Sequence, residues 1–237
     1  MKKHSMNALI LGASGLVGHE LLELLILDPR FYKIDLLSRR ELDLREITVT
    51  NHVVDLDNLS DLPLHHAIDV VFIAFGTTIK KACTKTKQWE VDVDIPTNVM
   101  RLCHAKGIKK CVLISSLGVS KNSPFFYSRM KAQLDENARA MRFETLVIVK
   151  PSVLDGPRLE RRPGERMAVA VGHVFGKTGL FNTYRPIDAI DVAKTMIQGL
   201  IELPLVTTEI RSGEIRAFAK RYTESEPTSI MDVTRRN

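Results

Sequence analysis

An alternation constrains this chain more than any other feature. Through the first 150 residues, short runs that are apolar nearly throughout recur at 8–11, 34–37, 47–49 (running on towards 54), 70–74, 112–115 and 145–149. Between them lie longer stretches, 16–27, 86–106 and 125–141, whose apolar residues recur at helical spacing. A strand that is apolar on both faces must be covered on both. Helices inserted between strands force parallel pairing with right-handed crossovers. The expected fold is therefore α/β, a doubly wound parallel sheet. Pro96 falls inside the 86–106 segment, where its missing N–H and its ring predict a kink or a break.

After Pro151 the texture changes. Gly156-Pro157 and Arg162-Pro163-Gly164-Glu165 mark irregular chain, and the spacing then predicts a helix over 165–175. Asp188 heads a further helix as its N-cap, with Asp191 in the first turn, and a strand is expected near 206–210. We expect one domain over 1–237, with 151–222 as a smaller substrate-side part and the polar 223–237 stretch as a mobile tail.

Several function classes are disfavoured early. No apolar run approaches the roughly 20 residues that cross a bilayer, so no membrane span is expected. The two lysines at the start precede an apolar run that ends in glycines and not in a small-residue cleavage site. With three cysteines (Cys83, Cys103, Cys111) and no C-x-x-C, neither a disulfide framework nor a zinc site is expected. His65-His66 has no carboxylate or cysteine at ligand spacing and reads as a solvated loop pair; no metal is expected. The expectation is a cytoplasmic protein.

Net charge is +6 and it is concentrated. Residues 80–131 hold eleven Lys or Arg against three acids, a local excess of eight. Such a region attracts anions. Nucleic acid is not the expected partner, because no aromatic-rich basic strand or recognition helix accompanies the charge. A phosphate-bearing cofactor is the more economical one.

A cradle for that phosphate stands between the first strand and the first helix. Gly12-Ala13-Ser14-Gly15-Leu16-Val17-Gly18 has the form G-x-x-G-x-x-G. Its glycines permit a tight turn, close approach of backbone to a pyrophosphate, and close helix–strand packing, while the helix N-terminus offers free N–H groups and a positive dipole end. In such Rossmann-type domains an acid about 20 positions further on grips the ribose 2′-OH of NAD. Here that place holds Ser38, Arg39 and Arg40, and Asp35 falls too early, within the strand. Guanidinium forks suit a 2′-phosphate, so the cofactor is expected to be NADP(H).

These residues resemble the short-chain dehydrogenase/reductases in their atypical or extended branch. The glycine spacing is that branch's; Val112-Leu113-Ile114-Ser115-Ser116 looks like its serine-bearing strand end; Tyr127 and Lys131 follow at a plausible distance, one helical turn apart. Within the branch the chain looks most like the Tat-interacting-protein-like oxidoreductases, through Leu37-Ser38-Arg39-Arg40, Phe75-Gly76-Thr77-Thr78, Val91-Asp92-Val93-Asp94 and Arg162-Pro163-Gly164-Glu165. The likeness runs from Asn7 to about Leu200.

The resemblance implies a catalytic set of Ser116, Tyr127 and Lys131, with Ser115 as the alternative serine. It implies cofactor contacts from the glycine loop and from Ser38, Arg39 and Arg40. Further contacts are implied from Asp55 and Leu56, from Phe75, Gly76 and Thr77, and from Ser115, Tyr127, Lys131, Pro151 and Val153. Tyr127 would exchange a proton with a carbonyl or hydroxyl oxygen, Ser116 would orient that oxygen, and Lys131 would stabilise phenolate and hold the nicotinamide ribose. Many members carry an asparagine on the helix before the serine strand; the corresponding helix here offers Asp92 and Asp94, with Asn98 about a turn further. Two readings follow: an NADP(H)-dependent oxidoreductase of a small carbonyl or alcohol substrate, or an NADP(H)-binding sensor acting through a protein partner without turnover. The oligomeric state is left open.

Overall fold

The computed structural model describes residues 5–155, 186–205 and 207–225. The chain opens with β1 (Met6–Leu11), α1 (Leu16–Leu27), β2 (Phe31–Ser38), β3 (Val49–Val53) and β4 (Val70–Ile73). Two short helices, α2 (Ile79–Ala82) and α3 (Lys85–Trp89), lead through a wide turn at Glu90–Asp94 into α4 (Ile95–Ala105). Then come β5 (Lys110–Ile114), α5 (Phe126–Ala140), β6 (Thr145–Lys150) and β7 (Leu154–Asp155). After the undescribed stretch stand β8 (Ile187–Asp188), α6 (Ala189–Glu202), β9 (Thr207–Arg211) and α7 (Ser212–Ser225).

Seven strands form one sheet in the order β3-β2-β1-β4-β5-β6-β9, every neighbouring pair parallel. Residues alternate between its two faces. Ala8, Ile10, Ile34, Leu36, Val70, Phe72 and Val147 meet Leu21, Leu22 and Leu25 of α1 and Val192, Met196 and Ile197 of α6. Leu9, Leu11, Leu37, Val71, Ile73, Leu113 and Ile148 meet Val99, Met100 and Cys103 of α4 and Leu134 and Ala138 of α5. Each Val, Leu, Ile, Met or Phe side chain fully buried this way contributes about 1.5–3 kcal/mol. The doubly wound sheet expected from the alternation is the fold observed.

Local chemistry sets the element ends. α1 stops at Asp28, whose extended backbone (φ −88°, ψ 111°) is the conformation the following proline favours. The buried Asp28 carboxylate then grips Arg30, with Nη2 2.6 Å from Oδ2. Thr84 starts α3 by accepting the Lys87 N–H at 3.1 Å. Pro96 does not break its helix. The turn before it widens instead, so that the Ile95 N–H bonds to Glu90 O, five residues back. Pro96 has no N–H to give Asp92 O and its ring would press on that carbonyl; a π turn relieves the clash.

Asp188 occupies the N-cap position of α6 with extended backbone but makes no side-chain cap bond. The start of the stretch expected to be a mobile tail lies inside α7, which runs to Ser225. Residues 226–237 and the helix expected over 165–175 lie outside the described residues.

Candidate active site

All strands of the sheet point their C-terminal ends to one edge, and the predicted site residues collect there. From β1 the chain winds outward through β2 and β3, then returns to lay β4, β5 and β6 on the other side. The crevice at that reversal, between β1 and β4, is where such sheets bind their ligands. Here the two loops touch: Gly12 has φ +102°, and a Cβ on it would stand 2.5 Å from Ala74 O. A Cβ on Gly18 would collide with Gly12 O, so the first turn of α1 packs directly on the loop.

The cradle itself is open. Gly15 is the N-cap of α1, bonds its N–H to Gly12 O at 2.9 Å, and no side chain caps the helix. No acid stands in the first turn. The side chains of Ala13 and Val17 are buried in the core, Ser14 is exposed, and Leu16 is half-buried. What faces the crevice is therefore backbone N–H at a positive helix end, which fits a dinucleotide pyrophosphate.

On the far side of β4 the loop continues through Phe75, Gly76 and Thr77 to a buried ion pair. Lys131 of α5 places Nζ 3.2 Å from Asp92 Oδ1, the two side chains 4% and 0% exposed. Asp92 also accepts the Thr77 N–H through Oδ2 at 2.9 Å. A Cβ on Gly76 would meet Asp92 Oδ1 at 2.6 Å and Lys131 Nζ at 3.6 Å. The widened turn aims Asp92 at this point. The Lys131 ammonium, expected beside the Tyr127 phenol, is paired with Asp92. Tyr127 stands one turn earlier on α5, half-buried.

β5 ends at Ile114, so both serines follow it. Ser115 is buried and its Oγ has no hydrogen-bond partner among the described residues, while Ser116 is half-buried. The Leu117 N–H bonds to Pro151 O at 2.9 Å and the Ile187 N–H to Val153 O at 2.8 Å, which fixes the segment after β6 beside the serine loop.

At the end of β2, Arg39 and Arg40 are exposed, and the Arg39 guanidinium lies 5.9 Å from the centre of the Phe75 ring. Asp35 is turned away from this end. Its carboxylate is 1% exposed, with Oδ1 2.6 Å from His52 Nε2 and Oδ2 2.9 Å from His66 Nε2. His66 therefore corrects the solvated-pair expectation: only His65 is exposed. The segment after β3 is held to β2 by the Val54 N–H on Ser38 O, at 2.9 Å. Leu56 is buried in the core, and Asp55 is exposed, closing its own turn on the Asp57 N–H and Asn58 Nδ2.

The profile of the NAD dependent epimerase/dehydratase family matches residues 8–174. The chain belongs to that family. "Protein FMP52, mitochondrial" of Candida albicans is 33% identical over 198 residues, covering 81% of this chain and 86% of the relative. "Protein fmp52-1, mitochondrial" of Aspergillus terreus is 32% identical over 201 residues, covering 79% and 84%. A solved UDP-glucuronic acid 4-epimerase from Bacillus cereus, in complex with NAD, superposes with a TM-score of 0.63 at 15% identity, covering 87% of this chain and 78% of that one. At such identity the likeness establishes the fold alone.

Membership of the epimerase/dehydratase family bears out the extended short-chain dehydrogenase resemblance at that level, with a nicotinamide dinucleotide as the cofactor class. The fungal relatives overturn the cytoplasmic expectation, because both are named as mitochondrial proteins. The lack of a secretory start bears on secretion and not on import into an organelle. No helix among the described residues is long and apolar enough to cross a membrane.

Sequence reasoning missed Asp92 as the partner of Lys131. The signal was present in outline. Asp92 stands between Val91 and Val93 on a segment whose neighbours are buried, where an acid needs a partner.

Proposed function

We propose that this chain is an NADP(H)-dependent oxidoreductase that interconverts a small carbonyl compound and its alcohol. The observation that carries the reading is a continuous line of contacts. Gly12 packs on Ala74, the loop from Ala74 runs to Thr77, Thr77 donates to Asp92, and Asp92 holds Lys131 on the helix that bears Tyr127. The pyrophosphate cradle and the candidate proton-transfer helix are thereby fixed to one another.

When bound, the cofactor supplies or accepts hydride. Tyr127 gives a proton to the carbonyl oxygen or takes one from the hydroxyl. Ser116 hydrogen-bonds that oxygen, with Ser115 as the alternative, its buried hydroxyl having no hydrogen-bond partner among the described residues. Lys131, paired with Asp92, offers its N–H groups to the nicotinamide ribose. At the other end of the crevice Arg39 and Arg40 meet the 2′-phosphate from the turn that Ser38 opens, while Asp35 is buried beside His52 and His66. Among branches of the family, the Gly-Thr-Thr and Arg-Pro-Gly-Glu pieces support a place near the Tat-interacting-protein-like oxidoreductases. The names of the fungal relatives support a mitochondrial location.

The test is a pair of dissociation constants, for NADPH and NADH at fixed ionic strength, followed by a screen of carbonyl compounds for cofactor oxidation. One charge-assisted bond to the 2′-phosphate makes NADPH roughly ten- to hundredfold the tighter ligand. Arg39→Ala then weakens NADPH and leaves NADH nearly unchanged. Tighter binding of NADH by the wild type overturns the NADP(H) assignment. Binding of neither dinucleotide overturns the oxidoreductase reading, and binding without turnover on any carbonyl favours the sensor.

A further inference from the structure

β3 is an edge strand of unusual composition. It reads Val49-Thr50-Asn51-His52-Val53, with Val49, Asn51 and His52 half-buried and Thr50 and Val53 exposed. Asparagine is depleted in strands, so a half-buried amide here calls for a partner. His52 has one in Asp35. Asn51 finds its own in the turn that follows β2.

Ser38 Oγ lies 2.6 Å from Arg40 O and 2.9 Å from Asn51 Oδ1, and Asn51 Nδ2 lies 3.4 Å from Arg40 O. A hydroxyl has one proton to give. With it on the shorter bond to Arg40 O, none is left for Asn51 Oδ1, and the amide joins the turn through Nδ2, which donates to the same carbonyl. The backbone braces the turn through the Val54 N–H on Ser38 O. Fixing the Arg40 carbonyl to Ser38, two residues earlier, closes a small ring of chain around Arg39. The directions in which Arg39 and Arg40 leave the backbone are thereby set, and Arg39 lies over Phe75.

We infer that Asn51 is a positioning residue for cofactor choice: it holds the Ser38–Arg40 turn so that both guanidinium groups are presented to the 2′-phosphate of NADP(H). Asn51 itself touches no part of the cofactor. The inference rests on the NADP(H) reading above.

Asn51→Leu keeps the volume and removes the amide. Dissociation constants for NADPH and NADH are measured for the wild type, for Asn51→Leu, for Arg39→Ala with Arg40→Ala, and for all three changes together. Asn51→Leu is expected to weaken NADPH by roughly three- to tenfold, about the worth of one ordinary hydrogen bond, and NADH by less than about twofold. In the arginine-free background it changes neither constant, because no arginine remains to be positioned. If Asn51→Leu does not fold, Asn51→Ser, whose hydroxyl is too short to reach Arg40 O, gives the same readout. Equal losses for both cofactors, or an NADPH loss that persists without the arginines, overturn the inference: the amide would then merely fasten the edge strand. A wild type that prefers NADH is a failure of the NADP(H) reading itself, and it is seen before any Asn51 variant is made.

Discussion

Replacing Asp92 by Asn removes one charge and almost no volume. Lys131 Nζ sits 3.2 Å from Asp92 Oδ1, with both side chains out of solvent. At an effective dielectric of about 20, that separation corresponds to about 5 kcal/mol of attraction, much of which offsets the cost of taking both charges out of water. The variant loses the attraction and keeps an uncompensated ammonium, a change that typically costs about 3–5 kcal/mol. The Asn side-chain oxygen can still accept the Thr77 N–H, so little of the loss comes from backbone. In a domain of this size each kcal/mol lowers the melting temperature by about 2–4 °C, which gives a fall of about 6–20 °C. Lys131→Met should cost a similar amount by orphaning the carboxylate. The double variant orphans nothing, so its cost should fall at least about 2 kcal/mol short of the sum of the singles. Urea unfolding followed by circular dichroism, at equal m-values, measures all three. A cost below about 1 kcal/mol for Asp92→Asn, or an additive double variant, would refute the ion pair as the clamp on Lys131.

Tyr127→Phe keeps the ring and removes the proton; NADPH affinity should stay within about twofold while turnover falls roughly 100- to 10,000-fold, and wild-type turnover would remove Tyr127 from the chemistry. Gly15→Val adds a branched side chain at the mouth of the cradle, where a bare Cβ already meets Gly12 O at 3.2 Å. Both dinucleotides should bind more than about tenfold more weakly in a variant that melts normally, as calorimetric titration would show, and unchanged affinity would place the cradle elsewhere. Burial pushes the Cys103 thiol up to about 12 and the Cys111 thiol well above its usual range, whereas Cys83 is exposed. A thiol–disulfide reagent at mildly alkaline pH should therefore titrate Cys83 alone in the folded chain and all three cysteines after denaturation. A second fast thiol would mean that the core between α4 and β5 opens readily.

The strands that could be located from sequence are those buried on both faces, because nothing but a covered sheet accounts for runs such as Val70–Ile73. β3 was drawn too early for the same reason. Ile47 is apolar and looked like a strand start, yet it is wholly exposed, while the true strand contains Thr50, Asn51 and His52 and is held by side-chain bonds that leave no apolar signature. The glycine loop was legible because its close packing is carried by backbone, and the absence of Cβ atoms is written directly in the sequence. Asp92 was not. Its partner lies on another helix, and the π turn that aims it shifts the register by one residue, which no helical periodicity anticipates. His66 was misread likewise, since its partner is a strand residue distant in the chain.

α1 and α6 pack side by side on one face of the sheet, yet they come from opposite ends of the chain. That adjacency sets an order of events during synthesis. As the polypeptide emerges from a ribosome, Leu21, Leu22 and Leu25 can pack on β1 and β2 but lack the cover that Val192, Met196 and Ile197 complete. β1 likewise waits for β4 on one side while β2 is already available on the other. The amino-terminal half thus cannot complete this face of the core by itself, and its apolar flank stays open for most of the time the chain is being made. Such a flank is where holding chaperones bind and where aggregates start. Chains cut short before residue 189 would carry that flank permanently. The helix made first is finished only by one of the last.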